Sequence, residues 1–169
     1  MGLDTPSVIF LCAAKKLGAD FTSTAMVGRQ IFFTNARVMA RVFSALGLDE
    51  NAGDFVRLSN NQFAEPYFRL LGATSITSVD YSPYESATVL HDMNLPIPDS
   101  LKGRFTVVHD GGTLEHVFNI AQALKNCMEM VQVGGHFIQV TCANNYMGHG
   151  FWQFSPEVVF RAFVPANGF

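Results

Sequence analysis

The sequence predicts an α/β domain built on a doubly wound sheet whose central strands are parallel. Three observations predict it. From residue 76 onward, short apolar runs alternate with helical segments, the pattern of strand–helix–strand crossovers in a parallel sheet. One run, Phe105 to Val108, is almost continuously apolar, as suits a strand buried on both faces. The runs end beside acids or glycines, at Asp80, at Asp92 and at Asp110-Gly111-Gly112. Ligands of open α/β sheets bind beyond the carboxyl ends of the strands, so these are the positions where binding chemistry belongs.

Residues 6–17 read as a short amphipathic helix, with Val8, Phe10, Leu11 and Leu17 apolar, Lys15 and Lys16 solvated, and Gly18 as the stop. Phe21 to Val27 reads as a strand ending at Gly28-Arg29-Gln30. Residues 35–46 carry Val38, Met39, Val42, Phe43 and Leu46 at helical spacing, and Gly47 closes that helix. A polar connection follows from Asp49 to Asn61. Ala64 to Leu71 is a helix with Pro66 early, where a missing N–H costs least, and Gly72 at its end. Strands are expected at 76–80, 87–91, 105–109 and 135–141, with a helix over 117–130 and a helix-to-strand turn at Gly134-Gly135. Residues 143–154 form a Gly- and aromatic-rich loop, after which Ser155 caps a helix that has Pro156 at its first position.

Composition narrows the class. A chain of 169 residues, 49% hydrophobic and 15% charged, makes one domain with a real core and excludes disorder as its main state. A net charge of −3 gives no general attraction to nucleic acid or to an anionic membrane. No apolar run reaches the about 18 residues of a membrane span, and the first residues lack a signal-peptide pattern. Three widely spaced cysteines, Cys12, Cys127 and Cys142, favour reduced thiols and a cytoplasmic location. The sequence has no Cys/His spacing for zinc, no G-x-x-x-x-G-K-[ST] loop and no G-x-S-x-G elbow, and no metal is expected.

Chemistry concentrates at the strand ends. A carboxylate at Asp80 can accept hydrogen bonds from both hydroxyls of a ribose; it equally suits a turn before Tyr81-Ser82-Pro83. Asp92 can accept from an exocyclic amine while the Met93 backbone N–H meets a ring nitrogen, or it can make an Asx turn before Pro96. At Asp110-Gly111 the glycine lets backbone approach a ligand, or simply turns the chain. His116 is a general-base candidate, with loop-bracing as its plainer role. The loop from Asn144 to Ser155 holds Asn144, Asn145, His149, Trp152 and Gln153, side chains suited to a polar small-molecule substrate or to a lid.

In combination these segments resemble the class I S-adenosylmethionine-dependent methyltransferases, a Rossmann-like fold, over about residues 62–169. "ITSVDYS" is similar to their second strand with its ribose-binding acid. "HDMNLPIPDSLKGRFTVVHDGGTLEHV" is similar to their third-strand acid, fourth strand and "LEH" segment, and "ALKNCMEMVQVGGHFIQV" to the helix, turn and fifth strand. "DGGTLEHVFN" with "ANNYMGHGFWQFSPE" resembles an uncharacterised bacterial subgroup. The resemblance implies S-adenosylmethionine as cofactor. It places Asp80 and Tyr81 at the ribose, Asp92 and Met93 at the adenine, and Asp110-Gly111 near the methionine moiety. His116 or His149 would remove a proton, and Asn144, Asn145, Trp152 and Gln153 would bind a small polar acceptor or sugar. The family's G-x-G-x-G loop is missing. Leu58 to Phe63 stands near its position, but Phe21 to Val27 is the more strand-like first strand. Gly28-Arg29-Gln30 then replaces the loop, with Arg29 facing the methionine carboxylate.

This makes one domain over 1–169, with an N-terminal helical region and first strand in 1–61 and the nucleoside-binding core in 62–169. The family's two C-terminal edge strands are absent, as in a fragment or a short form. An open sheet edge would invite a second copy of the chain and a homodimer. A non-catalytic binding or assembly protein with a degenerate cofactor site is the other reading, and its mark would be a cleft around Gly28 and Asp80 filled by side chains. An NAD enzyme fits less well, since G-x-G-x-x-G is lacking.

Overall fold

A computed structural model describes residues 2–34, 36–47 and 62–169. The chain opens with a two-residue strand β1 (Gly2–Leu3) and helix α1 (Thr5–Lys16), which Asp4 caps by accepting from the Ser7 N–H. Gly18, at φ 101°, turns the chain away in the left-handed region that favours glycine. Strands β2 (Ser23–Val27) and β3 (Ile31–Phe32) lead to α2 (Ala36–Leu46). The polar connection 49–61, including most of the segment from Leu58 to Phe63, lies outside the described residues. Then come α3 (Glu65–Leu70), β4 (Ser75–Asp80), β5 (Val89–Leu90), β6 (Phe105–Gly111), α4 (Ile120–Met130), β7 (Val131–Val140) and α5 (Pro156–Ala162).

Five strands form one sheet in the order β5-β4-β2-β6-β7, every neighbouring pair parallel. β1 and β3 make a separate two-stranded pair. The main sheet carries helices on both faces, so the fold is Rossmann-like and doubly wound. Alternation along the strands feeds two cores. Met26 of β2 and Val107 of β6 join α1, α2 and α3 through Val8, Leu11, Met39, Phe43, Tyr67 and Phe68. Ala25, Val27 and Val108 face the other way and pack on Leu114, Ala123, Leu124 and Met130. The central strand β2 comes from the N-terminal region, so residues 23–27 and 75–140 build a single sheet. Strand order reverses between β2 and β6, and the crevice beyond their carboxyl ends is where such folds bind ligands.

Three expectations are corrected. The helix expected over 117–130 starts at Ile120, because residues 114–116 form a 3₁₀ turn, Val117 is extended at φ −94° and ψ 119°, and Asn119 caps the helix. The final strand starts at Val131, directly after the helix, so Gly134-Gly135 lies within it instead of preceding it. The strand absorbs those residues as an irregularity: register shifts opposite Phe105–Val107, and a Cβ at Gly135 would stand 2.8 Å from the Thr106 carbonyl oxygen. The strand expected at 87–91 shortens to Val89–Leu90, although the His91 N–H still reaches the Asp80 carbonyl at 2.8 Å.

Candidate functional site

The ends of β2, β4 and β6 converge at the switch point. Gly28, at φ 74°, donates its N–H to the Val79 carbonyl at 2.7 Å, locking the end of β2 to β4. Thr113 Oγ1 donates to the Val27 carbonyl at 2.7 Å and locks it to the turn after β6. Beside this seam lies a cavity of about 370 Å³ lined by Val79, Asp80, Tyr81, His91, Asp92, Met93, Asn94, Thr113, His116 and Val117. Four of the eight cofactor-site residues expected from sequence, Asp80, Tyr81, Asp92 and Met93, therefore share one wall system with His116.

Asp80 accepts from the Arg29 N–H at 3.2 Å and from the Ser82 N–H at 3.1 Å. A carboxylate has about four acceptor sites, so capacity for ribose hydroxyls remains. Asp92 makes the Asx turn: its Oδ1 accepts from the Asn94 N–H and side-chain amide, and those bonds hold its carboxyl below the usual range. The Arg29 guanidinium is engaged with Glu65 Oε1 at 2.7 Å and the Glu85 and Ser86 carbonyls, and lies 3.8 Å over the Phe63 ring. Its side chain therefore ties loops together, and its backbone is what reaches Asp80.

Next to the cavity the crevice is tighter. A Cβ at Gly111 would lie 2.5 Å from Gln30 Oε1, so the Gln30 side chain packs directly on that glycine. Gln30 is fully buried, and its Oε1 has no hydrogen-bond partner among the described residues. Asp110, also fully buried, accepts from the Thr113 and Leu114 N–H groups and from Gln139 Nε2. Burial outweighs those bonds and pushes its carboxyl up to about 7.

The loop after β7 docks on the 114–117 turn. Phe151 and Trp152 donate backbone N–H to the Glu115 carbonyl, and Trp152 Nε1 donates to the Val117 carbonyl at 2.9 Å. His149 thereby comes to Glu115, with Nε2 3.7 Å from Oε1, and its ring meets His116 edge-on at 4.8 Å. The two histidines named from sequence are thus neighbours. Asn144, Asn145, Trp152 and Gln153 do not line the 370 Å³ cavity; Gln153 instead accepts from the Tyr146 N–H.

Two contributors escaped the sequence reading. Asn126, fully buried on α4, donates to the Met93 and Leu95 carbonyls and accepts from the Ile97 N–H, so it holds the cavity-lining 92–97 turn. Its signal was there: Ala123, Asn126, Cys127 and Met130 follow the apolar stripe of α4, and a lone amide on such a stripe needs partners. Glu115 is buried, and its carbonyl oxygen lies 2.7 Å from the position of a Cβ on Gly150, a contact between distant residues that no local pattern announces.

A larger cavity of about 870 Å³ runs along β7, between α1 and α5, lined mainly by apolar side chains such as Phe10, Leu17, Phe137 and Phe163. The outer edge of β7 has no strand partner among the described residues. Among those residues no helix is long and apolar enough to cross a membrane, and all three cysteines are free and buried.

Fold and site together define a Rossmann-like α/β protein with a strand-end cavity at its topological switch point. Comparison with family models, curated proteins and solved structures gives no match.

Proposed function

We propose that the chain binds S-adenosylmethionine and transfers its methyl group to a small polar metabolite or sugar. The observation that carries this reading is the cavity bounded by Asp80, Tyr81, Asp92, Met93 and His116 at the switch point of a parallel sheet. Asp80 would accept from the ribose hydroxyls, and the 92–94 turn, held by Asn126, would face the adenine. When bound, the cofactor supplies a methyl group already activated on a sulfonium. The chain's own task is then alignment and proton removal. His116 borders the cavity and is exposed; as general base it would take a proton from an acceptor at the cavity mouth. Buried Glu115, with no Lys or Arg partner among the described residues, favours a cationic ligand nearby.

One observation favours a second reading, a binding or assembly protein with a degenerate cofactor site. Gln30 occupies the space against Gly111 where the methionine end would approach. Titration calorimetry of the full chain with S-adenosylhomocysteine and, separately, with adenosine distinguishes the two. The first reading expects both to bind at one per chain. Binding of neither supports the second, and adenosine binding without S-adenosylhomocysteine binding leaves a nucleoside site whose methionine end is blocked.

A further inference from the structure

We propose that Glu115, His116 and His149 form a binding site for one divalent transition cation of the zinc type, open on its solvent side. The three residues each offer one ligand atom, and these atoms lie within 4.8 Å of one another. One carboxylate oxygen with two imidazole nitrogens is a donor set that borderline divalent cations favour. Ligands at about 2.1 Å in a tetrahedral arrangement stand about 3.4 Å apart. The Glu115–His149 pair at 3.7 Å needs only a few tenths of an ångström to close. The wider span involves His116, whose exposed ring makes no hydrogen bond among the described residues and meets the His149 ring edge-on.

Two further observations point to a cation. Glu115 is 2% exposed, and its only ion-pair partner among the described residues is His149, so no Lys or Arg stands beside this buried carboxyl. Its other oxygen, Oε2, accepts from Thr141 Oγ1 at 3.1 Å, the outer-sphere bond that orients a ligating carboxylate. The arrangement is also fixed in advance. Phe151 and Trp152 pin the loop to the Glu115 carbonyl, and Gly148 and Gly150, at φ 83° and 71°, present His149 between two left-handed turns.

Three protein ligands leave positions open, as in catalytic rather than structural sites. Because His116 also lines the strand-end cavity, a substrate oxygen there could occupy an open position, and coordination would acidify a hydroxyl without an imidazole base. That consequence rests on the methyltransferase reading; the cation site does not.

The test is calorimetric titration of the metal-free full chain with Zn²⁺ alone, repeated with Co²⁺ followed by visible absorption. The expected result is one Zn²⁺ per chain in the micromolar range or tighter, with a Co²⁺ ligand-field band. His149→Ala should weaken binding about tenfold or more, and His116→Ala with His149→Ala should abolish it. His136→Ala, a change at an exposed histidine on β7, should leave it intact. Absence of binding, or binding unchanged in the double variant, overturns the site. No nucleoside is present in this experiment, so its failure and that of the proposed methyl transfer are read separately.

Discussion

Replacing Asp110 with Asn should change the pH dependence of stability, because two adjacent buried groups on β6 pull it in opposite directions. The Asp110 carboxyl is raised by burial from 3.8 to about 7. From about pH 4 to 7 the folded chain keeps a proton that the unfolded chain releases, so this group's contribution falls as pH rises. The span from 3.8 to about 7, at about 1.36 kcal/mol per pH unit, amounts to about 4 kcal/mol. His109 does the reverse. Burial lowers its imidazole from 6.5 to about 4, against one hydrogen bond to the Ile138 carbonyl, so its contribution is present above 6.5 and lost as pH falls towards 4. That span is worth about 3 kcal/mol. In the native chain the two nearly cancel between pH 4.5 and 6.5. In the Asp110→Asn variant the new side-chain carbonyl keeps the bonds from Thr113 and Leu114, and Gln139 can turn its own carbonyl towards the new amide. The variant should therefore fold and reveal the His109 slope. Urea unfolding at pH 4.5, 5.5, 6.5 and 7.5 should show the variant gaining about 3 kcal/mol from low to high pH relative to the native chain. Parallel profiles for the two proteins would refute the reasoning.

Other perturbations read different parts of the site. Asn126→Ala removes a fully buried amide that serves Met93, Leu95 and Ile97, and should cost about 3 kcal/mol in urea unfolding. It should also weaken adenosine binding measured by calorimetry. Arg29→Ala breaks the contacts to Glu65, Glu85 and Ser86 and the stack on Phe63; a loss of about 2 kcal/mol in chemical denaturation is expected. Gly150→Ala combines a φ of 71° with a Cβ 2.7 Å from the Glu115 carbonyl oxygen, so it should displace His149 and weaken Zn²⁺ binding while the far-ultraviolet circular dichroism stays native.

Where the sequence speaks through local pattern, the fold follows it. The apolar run at Phe105, the acid-terminated strand at Asp80 and the glycine stops at 18, 47 and 72 all fall where periodicity and turn chemistry put them. Within the segment Phe21 to Val27, Ser23–Val27 forms the central strand and pairs with both β4 and β6. What escaped was set by distance along the chain. The irregular start of β7 depends on its register with β6, and the burial of Glu115 depends on a loop that follows β7. Glu115 lies in a 3₁₀ turn ahead of the helix, and its carboxylate faces His149. Gln30 was legible as part of the turn after β2, but its packing on Gly111 is a tertiary fact.

The central claim is that the strand-end cavity holds the nucleoside. A crystal structure of the chain with S-adenosylhomocysteine tests it most directly. The account predicts density in that cavity, with the ribose hydroxyls on Asp80, the adenine against Asp92 and Met93, and Gln30 turned away from Gly111. Empty density there, with Gln30 still seated on Gly111, would contradict it.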